Sequence, residues 1–168
     1  MSLSVYETSV PVFIRMLGNL SAILAKAAAH AKAKSIDPAV LVNARLAPDM
    51  LPLARQVQIA SDSAKGCAAR LAGIDIPVYP DDETTFDELQ ARIARTIRFL
   101  EGIKAEQLDG SETRTIQLKL RNREVTFSGR DFLLGFATPN FYFHVTTAYD
   151  ILRHNGVEIG KMDYLGGV

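Results

Sequence analysis

SVYETSVPVFIRMLGNLSAILAKAAAHAKAK, residues 4–34, decides the fold. Within it Tyr6, Val10, Phe13, Leu17, Leu20, Leu24, Ala27 and Ala31 recur at alternating steps of four and three. Val5, Val12, Met16 and Ile23 widen that heptad line into the broad apolar face of a bundle helix. Ser4 and Glu7 have the spacing of a capping box, in which each side chain satisfies an orphan amide of the other residue. The pattern predicts a helix from Ser4 to about Lys34, roughly 45 Å long. It should bend at Pro11, where a backbone hydrogen bond is lost. A helix of that length suits a bundle.

The segments that follow repeat the pattern. A short helical turn is expected after Asp37-Pro38. The second long helix should open at Asp49 as N-cap, with Pro52 in its first turn. Its seam is Met50, Leu53, Val57, Ala60, Ala64, Cys67 and Leu71, and Gly73 closes it. Ile76 to Asp82 is a connector, because its two prolines and two acids break both periodicities. The third helix begins at a second capping box, Thr85 to Glu88, with Phe86, Leu89, Ile93, Ile97 and Leu100 inward. Gln90, Arg92, Arg95 and Arg98 are expected in solvent, as is the carboxylate run Asp81-Asp82-Glu83.

The period then changes to two. Ile116, Leu118 and Leu120 alternate with polar residues, as do Val125 and Phe127 after Arg121-Asn122-Arg123-Glu124, which reads as a β-hairpin. The fourth helix should run from Ser128 or Gly129 to Asn155, kinked at Pro139 and ended by Gly156. The expectation is one domain over residues 1–168, an all-α four-helix bundle with a small β-hairpin inserted between helices three and four.

Composition narrows the function classes. Lys plus Arg and Asp plus Glu number 19 each, and 48% of residues are hydrophobic. A neutral, mixed surface gives no footprint for nucleic acid or for an anionic membrane. No unbroken run of eighteen apolar residues is present, and the N-terminal residues lack a basic then apolar leader pattern. Cys67 is the single cysteine, which excludes an internal disulfide and a multi-thiolate zinc site. It reads as a buried thiol, and a cytoplasmic setting is expected.

Helix four carries more apolar surface than one seam requires. One line is Phe141, His144, Ala148 and Ile151, another Phe136, Phe143 and Thr147, a third Tyr142, Val145, Tyr149 and Leu152. A helix apolar nearly all round is buried in a core or against a second subunit. A homodimer through helix four is the expectation; the competing cover is the hairpin together with the C-terminal tail.

His144 points inward on this reading, as metal ligand, proton carrier or core residue with its ring nitrogens satisfied. A helical pair of histidine ligands needs a second one three or four residues on, and those positions are Thr147 and Ala148. Gln56, beside the seam of helix two, wants a partner across the bundle, and Asn19 on helix one poses the same question. Asp49 lies two turns from Gln56, about 10 Å along the axis, so both can flank one cleft. The candidate pocket is therefore His144, Gln56, Asp49 and Tyr149. No cofactor or metal is expected, and a divalent ion, if bound, would sit at His144; a small-molecule ligand fits the same place. His30 and His154 fall in last helical turns, where a cation suits the exposed carbonyls. No nucleophile elbow, phosphate loop or zinc-protease signature is present, and no catalytic residue is identified.

Four stretches carry a resemblance. They are Leu46-Ala-Pro-Asp-Met-Leu-Pro-Leu-Ala-Arg-Gln56, Pro139-Asn-Phe-Tyr-Phe-His144, Thr147-Ala-Tyr-Asp-Ile-Leu-Arg153 and Gly160-Lys-Met-Asp163. Together they resemble an uncharacterised bacterial family of the DinB/YfiT-like four-helix bundles. The resemblance implies an up-down-down-up bundle, commonly dimeric, among metal-dependent thiol-transfer enzymes and thiol-dependent isomerases. It also implies an ion held by one histidine on helix two and an H-x-x-x-H pair on helix four. His144 is similar to the first member of that pair; Ala148 stands at the second, and Gln56 is the nearest polar residue on helix two.

Overall fold

Pro11 and Pro139 set where the two outer long helices take their regular form. The computed structural model describes residues 3–120 and 123–167. Ser4 and Glu7 do form the reciprocal box, at 2.9 and 3.1 Å, but around a single turn of their own. Helix α1 then runs Val10–Ala33, with Pro11 in its first turn. A first-turn amide has no intrahelical partner, so the missing N–H costs nothing there and the expected bend gives way to a later start.

Helix α2, Pro38–Val42, is capped by Asp37, whose Oδ1 accepts from the Ala39 amide at 2.9 Å. Helix α3 is Leu53–Ala72, opened by extended Pro52 instead of by Asp49, and ended by Gly73 at φ 69°. Helix α4, Phe86–Glu101, has its full capping box between Thr85 and Glu88. Strands β1, Thr115–Leu120, and β2, Arg123–Ser128, pair antiparallel with Ile116 opposite Phe127 and Leu118 opposite Val125. The Asn-containing turn expected between them lies partly outside the described residues. Ile116 and Leu118 are buried against the helices, as a two-stranded sheet requires.

The fourth long helix comes in three parts: α5, Gly129–Phe132, a π-helical turn, Leu133–Ala137, and α6, Thr138–His154. Pro139 has no amide to offer the preceding turn, and the wider π turn stands just before it, where a kink was expected. Gly129 starts this helix because a side chain cannot fit: a Cβ there would lie 1.8 Å from the Ser111 carbonyl oxygen.

Around the bundle α1 lies beside α4 and α6, and α3 beside the same two, so α1 and α3 face each other diagonally. Phe13, Leu17, Leu20, Val57, Leu89, Ile93, Phe141 and Val145 fill the centre. Helix α1 is long and apolar enough, at mean hydropathy 1.4 over its best window, to cross a membrane by length and composition alone. Here its apolar line, Val10 to Ala31, is buried in the bundle core, and its outer face is rich in small alanines.

A last short helix, α7, Lys161–Leu165, folds back on α1. Asp163 accepts from the Gly160 amide at 2.8 Å and pairs with Lys26 at 2.5 Å. Asn19 donates to the Tyr164 carbonyl at 2.9 Å. The Gly-Lys-Met-Asp motif is thus a clasp, and it answers the question Asn19 posed.

Candidate functional site

Helix α3 brings Gln56 and helix α6 brings His144 to the same level of their shared seam. His144 Nδ1 lies 2.7 Å from Gln56 Oε1, and Gln56 Nε2 donates to the Leu51 carbonyl at 2.9 Å. That carbonyl can only accept, so it fixes the amide with nitrogen toward Leu51 and oxygen toward the imidazole. His144 must then carry its proton on Nδ1 when neutral, leaving Nε2 with a lone pair. Burial, and secondly the positive charge of Arg55, hold the His144 pKa below its ordinary 6.5. The neutral Nδ1–H tautomer is the resting form at pH 7.

A second polar rung lies one turn away. Asn140, four residues before His144, donates through Nδ2 to Ser63 Oγ at 2.7 Å. The order of the two rungs, Gln56 to His144 and Ser63 to Asn140, shows that α3 and α6 run antiparallel. Asn140 was legible in principle, since it shares the His144 face at i−4.

The other two candidate positions are elsewhere. Asp49 is exposed in the turn before α3, because Pro52 and not Asp49 opens that helix. Tyr149 is half-buried and meets Tyr164 edge to face at 6.1 Å. It belongs to the seat of the C-terminal clasp, on a different side of α6.

The resemblance implied a divalent ion, and the donor set does not fit one. Among the described residues no three His, Cys, Asp or Glu side chains converge. At the place in question Gln56 occupies Nδ1 of the one histidine, and buried Ala148 stands one turn on. Only Nε2 is left as a ligand atom, against the usual three or four protein ligands.

The surplus apolar surface of helix four is largely covered from within. Phe141, Val145, Ala148, Ile151 and Leu152 are buried. The Tyr164 hydroxyl reaches Thr146 Oγ1 at 3.0 Å, and Phe136 packs on Phe127 and Phe132. The tail and the hairpin are the cover. Phe143 stays 55% exposed, its ring edge-on to the His144 imidazole.

One strong electrostatic feature escaped the sequence. Arg92 is buried, although it was expected in solvent with its neighbours on α4. Its guanidinium meets Asp62 at 2.8 Å, Asp81 at 3.0 Å and Glu83 at 2.9 Å. Tyr79 roofs the cluster, with Arg95 4.0 Å from its ring centroid and Lys65 4.7 Å. The connector before α4 therefore folds onto the α3–α4 groove, and Asp81 and Glu83, expected as solvated carboxylates, serve with Asp62 as ion-pair partners. The signal was a net run of acids opposite a helix with arginines at i and i+3.

With this geometry in view, the comparisons place the chain. The domain of unknown function DUF1993 matches residues 5–165. The chain belongs to the DUF1993 family. A crystal structure of a DinB family member protein from Shewanella denitrificans superposes with a TM-score of 0.89 at 46% sequence identity, covering 97% of this chain and 92% of that one. No curated protein matches. The DUF1993 chain described here is accordingly a DinB-like bundle, and both the fold class and the family resemblance read from its sequence hold.

Proposed function

We propose that this DUF1993 protein is a metal-free DinB-like bundle that binds a small molecule through the lone pair of His144 Nε2. The observation that carries the reading is the fixed amide of Gln56. It consumes the Nδ1 proton, sets one tautomer and leaves a single well-oriented acceptor at the α3–α6 seam. An acceptor of lowered basicity takes a hydrogen bond from a hydroxyl, thiol or amide N–H of a ligand without becoming charged. Association of two copies belongs to the same proposal: exposed Phe143 beside His144, and exposed Leu51, whose carbonyl anchors Gln56, flank the pair with apolar surface.

Metal analysis of protein purified without chelator, followed by zinc and manganese titration calorimetry, tests the first part. The expected result is substoichiometric metal and no saturable binding. One bound ion per chain that disappears in His144→Ala would replace this reading with a divalent-metal enzyme of thiol-transfer type. Sedimentation velocity on wild type and Phe143→Asp tests the second part, with a dimer in the former and a monomer in the latter expected.

A further inference from the structure

A separate cleft of about 200 Å³ opens where α3, β1 and the π-helical turn meet, one turn along α6 from His144. It is too small for a drug-sized ligand, whose pockets run to about 300–1,000 Å³, and suits a single ring. Phe132 and Phe136 form one wall, nearly parallel at 21° with centroids 6.1 Å apart. Ser63 and Asn140, joined by their hydrogen bond at 2.7 Å, also line it.

The charge at this cleft is unbalanced. Asp62, on its lining, is already bound to Lys65 at 2.7 Å and to Arg92 at 2.8 Å. Arg70 is half-buried and makes no ion pair with a carboxylate among the described residues. It donates to the Gly66 carbonyl at 3.0 Å and lies 5.9 Å from the Phe132 ring centroid. A guanidinium carries five donors in a planar fork that matches a carboxylate. Most of that fork faces no acid. We propose that this cleft binds a small single-ring aromatic carboxylate, its carboxylate on Arg70 and its ring against Phe132 and Phe136.

Gly66 supplies a selective test. A Cβ there would lie 2.7 Å from Arg70 Nη1, so Gly66→Ala displaces the guanidinium from its seat. The same change favours the helix by about 1 kcal/mol in an ordinary interior position, so the fold is retained. Benzoate is titrated into the full chain and followed by amide chemical shifts, with benzamide and acetate as the neutral and ringless probes. Benzoate should saturate shifts at Ser63, Phe132, Phe136 and Asn140, with benzamide and acetate at least tenfold weaker. Arg70→Gln should weaken benzoate about ten- to a hundredfold, the worth of charge-assisted hydrogen bonds, and Gly66→Ala should weaken it severalfold. The proposal is overturned if benzoate leaves those four amides unmoved, if benzamide binds as well as benzoate, or if both variants bind benzoate as wild type does.

Discussion

The imidazole of His144 and the amide of Gln56 stand 2.7 Å apart although 88 residues separate them in the chain. Their bond crosses the seam between two long helices, among the buried apolar side chains Leu53, Val57, Val145 and Ala148. A polar pair so placed is worth most as a pair. Removing one member strands the other away from water.

Single substitutions should show that asymmetry. Gln56→Leu leaves the His144 Nδ1–H unpaired and is expected to cost about 1–3 kcal/mol in urea unfolding, as is His144→Phe. The double variant should cost less than the sum, with a coupling of about 0.5–3 kcal/mol. Strict additivity would mean that the bond contributes nothing to the fold.

The same pair sets a pH response. The folded-state pKa of His144 is below the ordinary 6.5 of an unfolded chain. Above that value neither state is protonated and the native pair contributes in full. As pH falls through 6.5 the unfolded chain takes up a proton that the folded one refuses, so stability drops until the folded pKa is passed. His144→Phe should flatten the stability profile as pH falls below about 7.

A second acidic limb belongs to Asp81. Its burial raises the pKa, but the hydrogen bond and charge of Arg55 and the charge of Arg92 more than offset this, leaving it below 3.8. A depressed carboxylate stabilises above its unfolded pKa and loses that contribution as pH falls through the folded value. Asp81→Asn should therefore soften acid unfolding below about pH 4 while leaving the limb near neutrality intact.

Arg92 should be the most sensitive charged residue. Arg92→Met leaves Asp62, Asp81 and Glu83 without their common cation, and the expected cost is about 3 kcal/mol, the low end for breaking a buried pair. The low end applies because the Asp62 and Asp81 side chains are 40% and 37% exposed and partly screened by water. Arg92→Lys should recover less than half of the loss, since a single ammonium cannot face three carboxylates in a fork. Urea midpoints of the three proteins decide this.

Cys67 is expected to be inert while the chain is folded. The thiol is buried and its pKa is pushed up to about 12, chiefly by burial, with Arg70 opposing. Ellman's reagent at pH 8 should release colour at the rate of unfolding, and immediately in denaturant. Fast reaction of the native protein would show that the cleft beside Cys67 opens.

Most of the bundle was legible because its information is periodic. Both capping boxes, the seams from Val10 to Ala31 and from Leu53 to Leu71, the existence of the hairpin and the stop at Gly73 all follow from local spacing, whereas Arg123 and Glu124, read as turn, belong to β2. Two of the four candidate site residues, His144 and Gln56, meet because each was a polar interruption of an apolar seam, and such groups seek each other. What stayed illegible depends on where separate elements land. Arg92 looked like its solvated neighbours until the Ile76–Glu83 connector folded over it. Asp49 looked like an N-cap, because nothing local tells whether an Asp or the proline three residues later opens a helix. Tyr149 shares a helix with His144, but only the returning tail shows that it faces Tyr164.

The π-helical turn at Leu133–Ala137 has a consequence for the spacing of the whole C-terminal third. A π turn holds one residue more than an α turn, so α5 and α6 share a course while differing in phase by about 100°. Deleting one residue there would take out the extra residue and swing Gly129, with the hairpin behind it, around the axis and away from the Ser111 carbonyl. The number of residues in that turn, more than their identity, indexes the hairpin to its face of the bundle.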